Sequence, residues 1–204
     1  MSLKNTLNYL QFFKEVGRSK RLLRSGWVRE KIKNPESVAE HSFRVGVMIM
    51  ILADKFDSSL DKEKLIKMAL LHDLGKPTAG DVIAERGQLI DIKKRDIEER
   101  KERESIGKIF SKISQSDGYV SILNEMMDGK TPEAKIFWQI DKLETVIQAL
   151  EYENEQDKDL EEFFLNFALY HARDPLIKEI FKDVLKNRKK EYQESLLQKL
   201  KGKI

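Results

Sequence analysis

Only three histidines occur in the 204 residues, and two of them stand where they could bind a metal. His41 shares a helical stripe with Val38, Val45, Met48 and Leu52, so its imidazole faces inward one turn from a helix start. His72 shares another with Leu65, Met68 and Ala69, and Asp73 follows it at once. Asp141 lies in an otherwise apolar helical stretch beside Phe137 and Ile140. An inward histidine alone usually bonds a backbone carbonyl, and a His-Asp dipeptide arises by chance. The carboxylate is harder to place, because burying it without a cation would cost several kcal/mol. Two imidazoles and two carboxylates suit a divalent ion such as manganese, cobalt, nickel, iron or magnesium, with positions left for water and substrate. Such an ion would lower the pKa of a bound water and neutralise phosphoryl oxygens, which fits hydrolysis of a phosphate ester. Cysteine is absent, so thiolate ligands and disulfides are excluded.

These residues need elements to position them, and apolar spacing is helical nearly throughout, which predicts an all-α fold. A first helix is expected from about Leu3 to Leu23, followed by a loop marked by Ser25-Gly26-Trp27 and Asn34-Pro35. Ser37-Val38-Ala39-Glu40 matches a capping box and starts the next helix near Val38. The helix from about Lys62 ends at Gly75 and Pro77, which leaves His72 and Asp73 at a terminus open to solvent. Asp91 to Glu104 is almost wholly charged and reads as a solvated helix face, or a lid, before Ile106, Ile109, Phe110 and Ile113 resume a stripe. A helix is expected over Tyr119 to Met127. Thr131-Pro132 starts another that runs to about Leu150 with Asp141 in its middle. Asp174-Pro175 begins a last, amphipathic helix over about 175–204, whose Leu185, Tyr192, Leu196 and Leu200 call for a packing partner. His171, just before that start, reads as a surface or capping residue.

The length suits one domain, 1–204, with no repeat or linker. Lys plus Arg number 38 against 35 for Asp plus Glu, too small a surplus for a dedicated nucleic-acid binder. Met1 to Leu10 lacks a signal-peptide core, and the longest apolar run, Val45 to Ala53, is about half a membrane span. A soluble, cytoplasmic protein is expected.

His41, His72-Asp73-Leu74-Gly75-Lys76 and Asp141 together resemble the H…HD…D signature of HD-domain phosphohydrolases. Ser25-Gly26-Trp27-Val28, Pro35 to His41, Gly80-Asp81, Pro132-Glu133-Ala134-Lys135, Ile140-Asp141-Lys142 and Glu151-Tyr152-Glu153 resemble the 5'-deoxynucleotidase branch, over roughly residues 5 to 185. The resemblance implies a helical HD-domain bundle, often a homodimer, that hydrolyses deoxynucleoside 5'-monophosphates to deoxynucleoside and phosphate. It implies His41, His72, Asp73 and Asp141 as metal ligands, with Asp73 also part of the catalytic set. It further implies Trp27 as base contact, and Asp81 with the backbone of Val82 near the substrate, Asp81 as general acid or positioning residue. Where that branch carries a glutamate four residues after the second histidine, this chain has Lys76, which offers phosphate a point charge instead. Gly26 stands where bacterial members have a phosphate-orienting arginine, which leaves Arg24 and Arg29 as substitutes. The alternatives are another HD phosphohydrolase, acting on a different nucleotide or cyclic phosphodiester, and a non-catalytic metal- and nucleotide-binding module.

Overall fold

The computed structural model describes residues 3–76 and 92–201. Ten α-helices are named here in chain order: α1 Leu3–Val16, α2 Ser25–Arg29, α3 Val38–Leu52, α4 Lys62–Leu71, α5 Ile92–Phe110, α6 Asp117–Asp128, α7 Pro132–Gln156, α8 Glu161–Asn166, α9 Pro175–Lys186 and α10 Lys190–Leu200. No strand occurs among the described residues; a single β-bridge joins Leu23 to Ser37. The fold is all-α.

Local chemistry sets most of the starts. Ser37 accepts from the Glu40 amide while the Glu40 carboxylate accepts from the Ser37 amide, which satisfies two free donors of α3. Asp61, Thr131 and Asp174 accept in the same way from amides at the starts of α4, α7 and α9, with Pro132 and Pro175 in the first turn. Gly129, at φ 64°, closes α6 in the left-handed conformation that glycine adopts without a Cβ penalty.

α3, α4 and α7 pack on one another. α7 forms the axis of the core, burying Phe137, Ile140, Leu143, Val146 and Ala149. Buried side chains from Phe12 to Leu200 join one contiguous core.

Several elements differ from the sequence expectation, beginning with Ser25-Gly26-Trp27, expected in a loop, which instead opens the short helix α2. The first helix stops at Val16 and continues as a 3-10 turn, Gly17–Lys20, so Leu23 lies outside it and pairs with Ser37. α7 runs past Leu150 to Gln156, because Tyr152 and Glu153 are buried rather than solvated. The expected helix over 175–204 is broken into α9 and α10 around Arg188. That guanidinium turns inward, donates to both oxygens of the buried Glu153 at 2.8 and 2.7 Å, and lies 3.9 Å from the centre of the Phe164 ring.

Candidate metal centre

Three parts of the fold deliver the residues singled out by sequence. His41 lies one turn into α3 on a stripe with Val38, Val45 and Ile49, all buried. His72 caps the end of α4, its amide still bonded to the Met68 carbonyl, and Asp73 begins the turn that follows. Asp141 comes from the middle of α7, where its neighbours Ile140 and Leu143 are buried. The turn is held from outside: the Ser105 hydroxyl donates to the Gly75 carbonyl at 3.0 Å. A Cβ on Gly75 would lie 2.9 Å from Glu102 Cγ and 3.2 Å from the Glu102 carbonyl oxygen. Only glycine lets α5 approach that closely.

His41, His72, Asp73 and Asp141 are all buried. Asp141 Oδ1 stands 3.0 Å from His41 Nε2 and 3.3 Å from His72 Nε2, and His72 Nε2 is 3.3 Å from Asp73 Oδ1. Ligand atoms of His41, His72 and Asp73 lie within 4.8 Å of one another. Each imidazole is also fixed from behind. His72 Nδ1 donates to the Ala69 carbonyl at 2.8 Å, and His41 Nδ1 donates to the Glu144 carboxylate. Both rings therefore aim Nε2 at the shared space.

This donor set fits a divalent ion. His72 Nε2 and Asp141 Oδ2 are buried and make no hydrogen bond, although Lys142 Nζ stands 2.8 Å from Asp141 Oδ2. Buried polar atoms left this way call for a partner. Imidazole nitrogen with carboxylate oxygen, and no sulfur, is not the ligation of a closed thiolate zinc site.

The electrostatics run the same way. Burial opposes the charge on Asp73, yet His72, Lys76 and Arg24 hold its carboxyl well below the usual range. Burial also opposes the charge on Asp141, and Lys142 with the two histidines overcomes it. Burial pushes His72 down, but Asp73 and Asp141 win and push it up to about 9. A space that keeps two buried carboxylates ionised and draws a proton onto an imidazole favours added positive charge.

The remaining expected residues divide. Lys76 Nζ lies 2.7 Å from Asp73 Oδ1, and Arg24 Nη1 donates to Asp73 Oδ2 at 3.1 Å, so both stand at the centre. Arg29 does not join them at Asp73; it pairs with Glu30 and Glu162 and lies over Phe163, which ties α2 to α8. Trp27 is 1% exposed, packed on Tyr152 and Phe163, with its indole N–H on Glu36 at 2.8 Å. That is a packing role, and contact with a base would require this shell to open. Asp81 and Val82 lie outside the described residues. His171 is neither a cap nor a surface residue. It closes a π-helical turn, Phe167–His171, and is half-buried. Burial and Lys142 push its pKa down to about 4, against the pull of Asp141.

Sequence reasoning missed Glu144 and Lys142. Glu144 sits one turn beyond Asp141 on the same buried flank of α7 and is wholly buried. The anomaly that exposed Asp141, an acid among apolar neighbours, also applied to it. Lys142 is half-exposed at the rim and carried no comparable signal.

Comparison with known proteins shows the family of the chain. Residues 16–185 match the model of the HD domain. The chain is 36% identical to the 5'-deoxynucleotidase HDDC2 of Danio rerio over 165 residues, 78% of each protein. It is 30% identical to the 5'-deoxynucleotidase hdd1 of Schizosaccharomyces pombe, over 92% of this chain and 94% of that one. A solved structure of a conserved hypothetical protein from Pyrococcus furiosus superposes with a TM-score of 0.71 at 28% identity, covering 87% of this chain and 99% of the other. With α3, α4 and α7 inside the matched region, the chain belongs to the HD domain family.

Proposed function

We propose that this protein is a metal-dependent 5'-deoxynucleotidase, which hydrolyses deoxynucleoside 5'-monophosphates to deoxynucleoside and phosphate. The observation that carries the proposal is the convergence of two imidazole Nε2 atoms on one buried carboxylate oxygen, each ring already committed at Nδ1. His41, His72, Asp73 and Asp141 would hold the ion, one of manganese, cobalt, nickel, iron or magnesium. When bound it would supply a nucleophilic water near neutral pH and neutralise phosphoryl charge. Arg24 and Lys76 at Asp73, with Lys142 at Asp141, ring the centre with positive charge suited to holding a phosphate. Asp81 and Val82 we assign to the substrate side, and Asp81 to protonation of the leaving oxygen. The names and coverage of the curated relatives support the choice of substrate.

We assign the enzyme to the cytoplasm as one domain and as a homodimer. No helix among the described residues is long and apolar enough to cross a membrane. Phe43, Val47, Met50 and Ile51 on α3 expose an apolar stripe beside Leu70 of α4, a surface suited to a second copy.

The test is phosphate release by the purified chain, loaded in turn with each of the five metals, from deoxynucleoside and ribonucleoside 5'-monophosphates. Turnover of the deoxy substrates with little from the ribonucleotides is expected, and no turnover with every metal would sink the proposal. Because Lys76 puts a cation against Asp73, the panel includes cyclic dinucleotides and nucleoside triphosphates. Preference for one of these would move the enzyme to another HD activity.

A further inference from the structure

His41 is backed by a row of charged groups that the reaction does not itself require. Glu144 has no exposed surface, and its two oxygens have different partners. Oε2 accepts from His41 Nδ1, and Oε1 accepts from Arg44 Nε at 2.8 Å. Arg44 reaches on with Nη1 to both oxygens of Glu151, at 2.9 and 2.8 Å, and with Nη2 to Gln148 Oε1. His41 and Arg44 lie one turn apart on α3. Asp141, Glu144, Gln148 and Glu151 form one stripe of α7, at helical spacings of three and four. Two facing helices thus build the ligands and their support from one register.

The chemistry of each atom fixes its role. A carboxylate only accepts, so the hydrogen on His41 Nδ1 is bound to stay there, and Nε2 is the atom presented to the ion. A carboxylate without exposed surface is costly unless it is paired, and the Arg44 guanidinium supplies that pairing at Oε1. With Oε2 on His41 and Oε1 on Arg44, both oxygens of Glu144 are committed to side chains.

We propose that Glu144, anchored by Arg44, is a positioning residue that fixes the tautomer and aim of His41 and thereby sets the affinity of the centre for its ion. This rests on the assignment of His41 as a ligand. Loss of a carboxylate behind a metal-binding histidine typically lowers affinity about 10- to 100-fold.

The experiment is calorimetric titration of the full chain with manganese alone, for wild type, Glu144→Gln, Arg44→Gln and Arg44→Lys. Glu144→Gln is expected to raise the manganese Kd by about 10- to 100-fold, with turnover recovering as manganese is raised toward saturation. Arg44→Gln should shift Kd in the same direction by less, and Arg44→Lys, which keeps the charge but loses the fork, should lie between it and wild type. If Glu144→Gln fails to fold, Arg44→Gln carries the test, since that side chain is 29% exposed and its loss opens no core cavity. Lower thermal stability with an unchanged Kd in the folded variants would reduce the row to packing and overturn the proposal. A wild type that binds manganese but cleaves no deoxynucleotide would sink the proposed activity and leave this inference intact. A wild type that binds no divalent ion would end both.

Discussion

Replacing Arg188 with methionine should destabilise the fold by an amount set by what it leaves behind. The Arg188 side chain has no exposed surface and that of Glu153 is 1% exposed. The substitution removes two charge-assisted hydrogen bonds, at 2.8 and 2.7 Å, and a third to the Tyr192 carbonyl at 3.1 Å. Glu153 keeps only the Leu160 amide, at 2.9 Å. Breaking a buried pair from one side costs about 3–5 kcal/mol. The lost guanidinium contact on Phe164, worth up to about 2 kcal/mol, is partly recovered by a methionine sulfur on the same ring, at about 0.3–1.5 kcal/mol. The net is about 4 kcal/mol, or roughly 8–16 °C in Tm for a domain of this size. Urea unfolding followed by helical circular dichroism measures it. Adding Glu153→Gln, which removes the stranded charge yet still accepts from Leu160, should recover about 2 kcal/mol. Phosphate release per folded molecule should not change, because Glu153 lies about three turns along α7 from Asp141. A single-variant loss below about 1 kcal/mol, or a double variant that merely sums the two singles, would refute a buried, charge-compensated pair.

Two further outcomes are expected. The four proposed ligand residues are already partly compensated by Arg24, Lys76 and Lys142, so chelator-treated protein should remain helical, and manganese at a hundred times its Kd should add about 2.7 kcal/mol, or roughly 5–10 °C. No thermal shift with any of the five metals would contradict the centre. His171 is held to about 4 in the fold and rises to its ordinary value of about 6.5 when unfolded. The unfolded chain then binds the extra proton between these values, so stability is full above about pH 6.5 and falls as pH drops toward 4. Tm measured at pH 7.5 and pH 5 should therefore differ less in His171→Asn than in wild type, and an equal or larger difference would count against that assignment.

How far such features were legible depends on whether their cause was local. Ser37 with Glu40, Thr131 and Asp174 satisfy amides within one turn of themselves, and Pro132 and Pro175 bring no donor to their first turns, so types and spacing sufficed to place three helix starts. The inward faces of His41 and His72 followed equally from periodicity. Arg188 could not be read this way. In a stretch of lysines and arginines it looks solvated, and only the approach of α8 and the far end of α7 gives it Glu153 and Phe164. The end of α7 was hidden for a related reason, since Tyr152 and Glu153 sit among charged residues that suggest solvent. Glu144 was the opposite case: its apolar setting was visible, but its partners on α3 are about a hundred positions away in sequence. Trp27 and Arg29 carried motif positions faithfully, while their surroundings depend on Tyr152, Glu162 and Phe163, which no local pattern links to them.

The tight seating of Gly75 against α5 bears on what could be transplanted. The four proposed ligands come from α3, α4 with its turn, and α7, so a designer grafting the centre onto another scaffold would naturally copy those three segments. Such a graft would omit the wall that shapes the turn. Glu102 and Ser105 press on and bond to a residue only two positions beyond Asp73, so the aim of that carboxylate is inherited in part from a helix that contributes no ligand. The smallest portable version of this centre is a four-helix unit, and a library that varies α5 freely would be expected to lose metal binding before it loses fold.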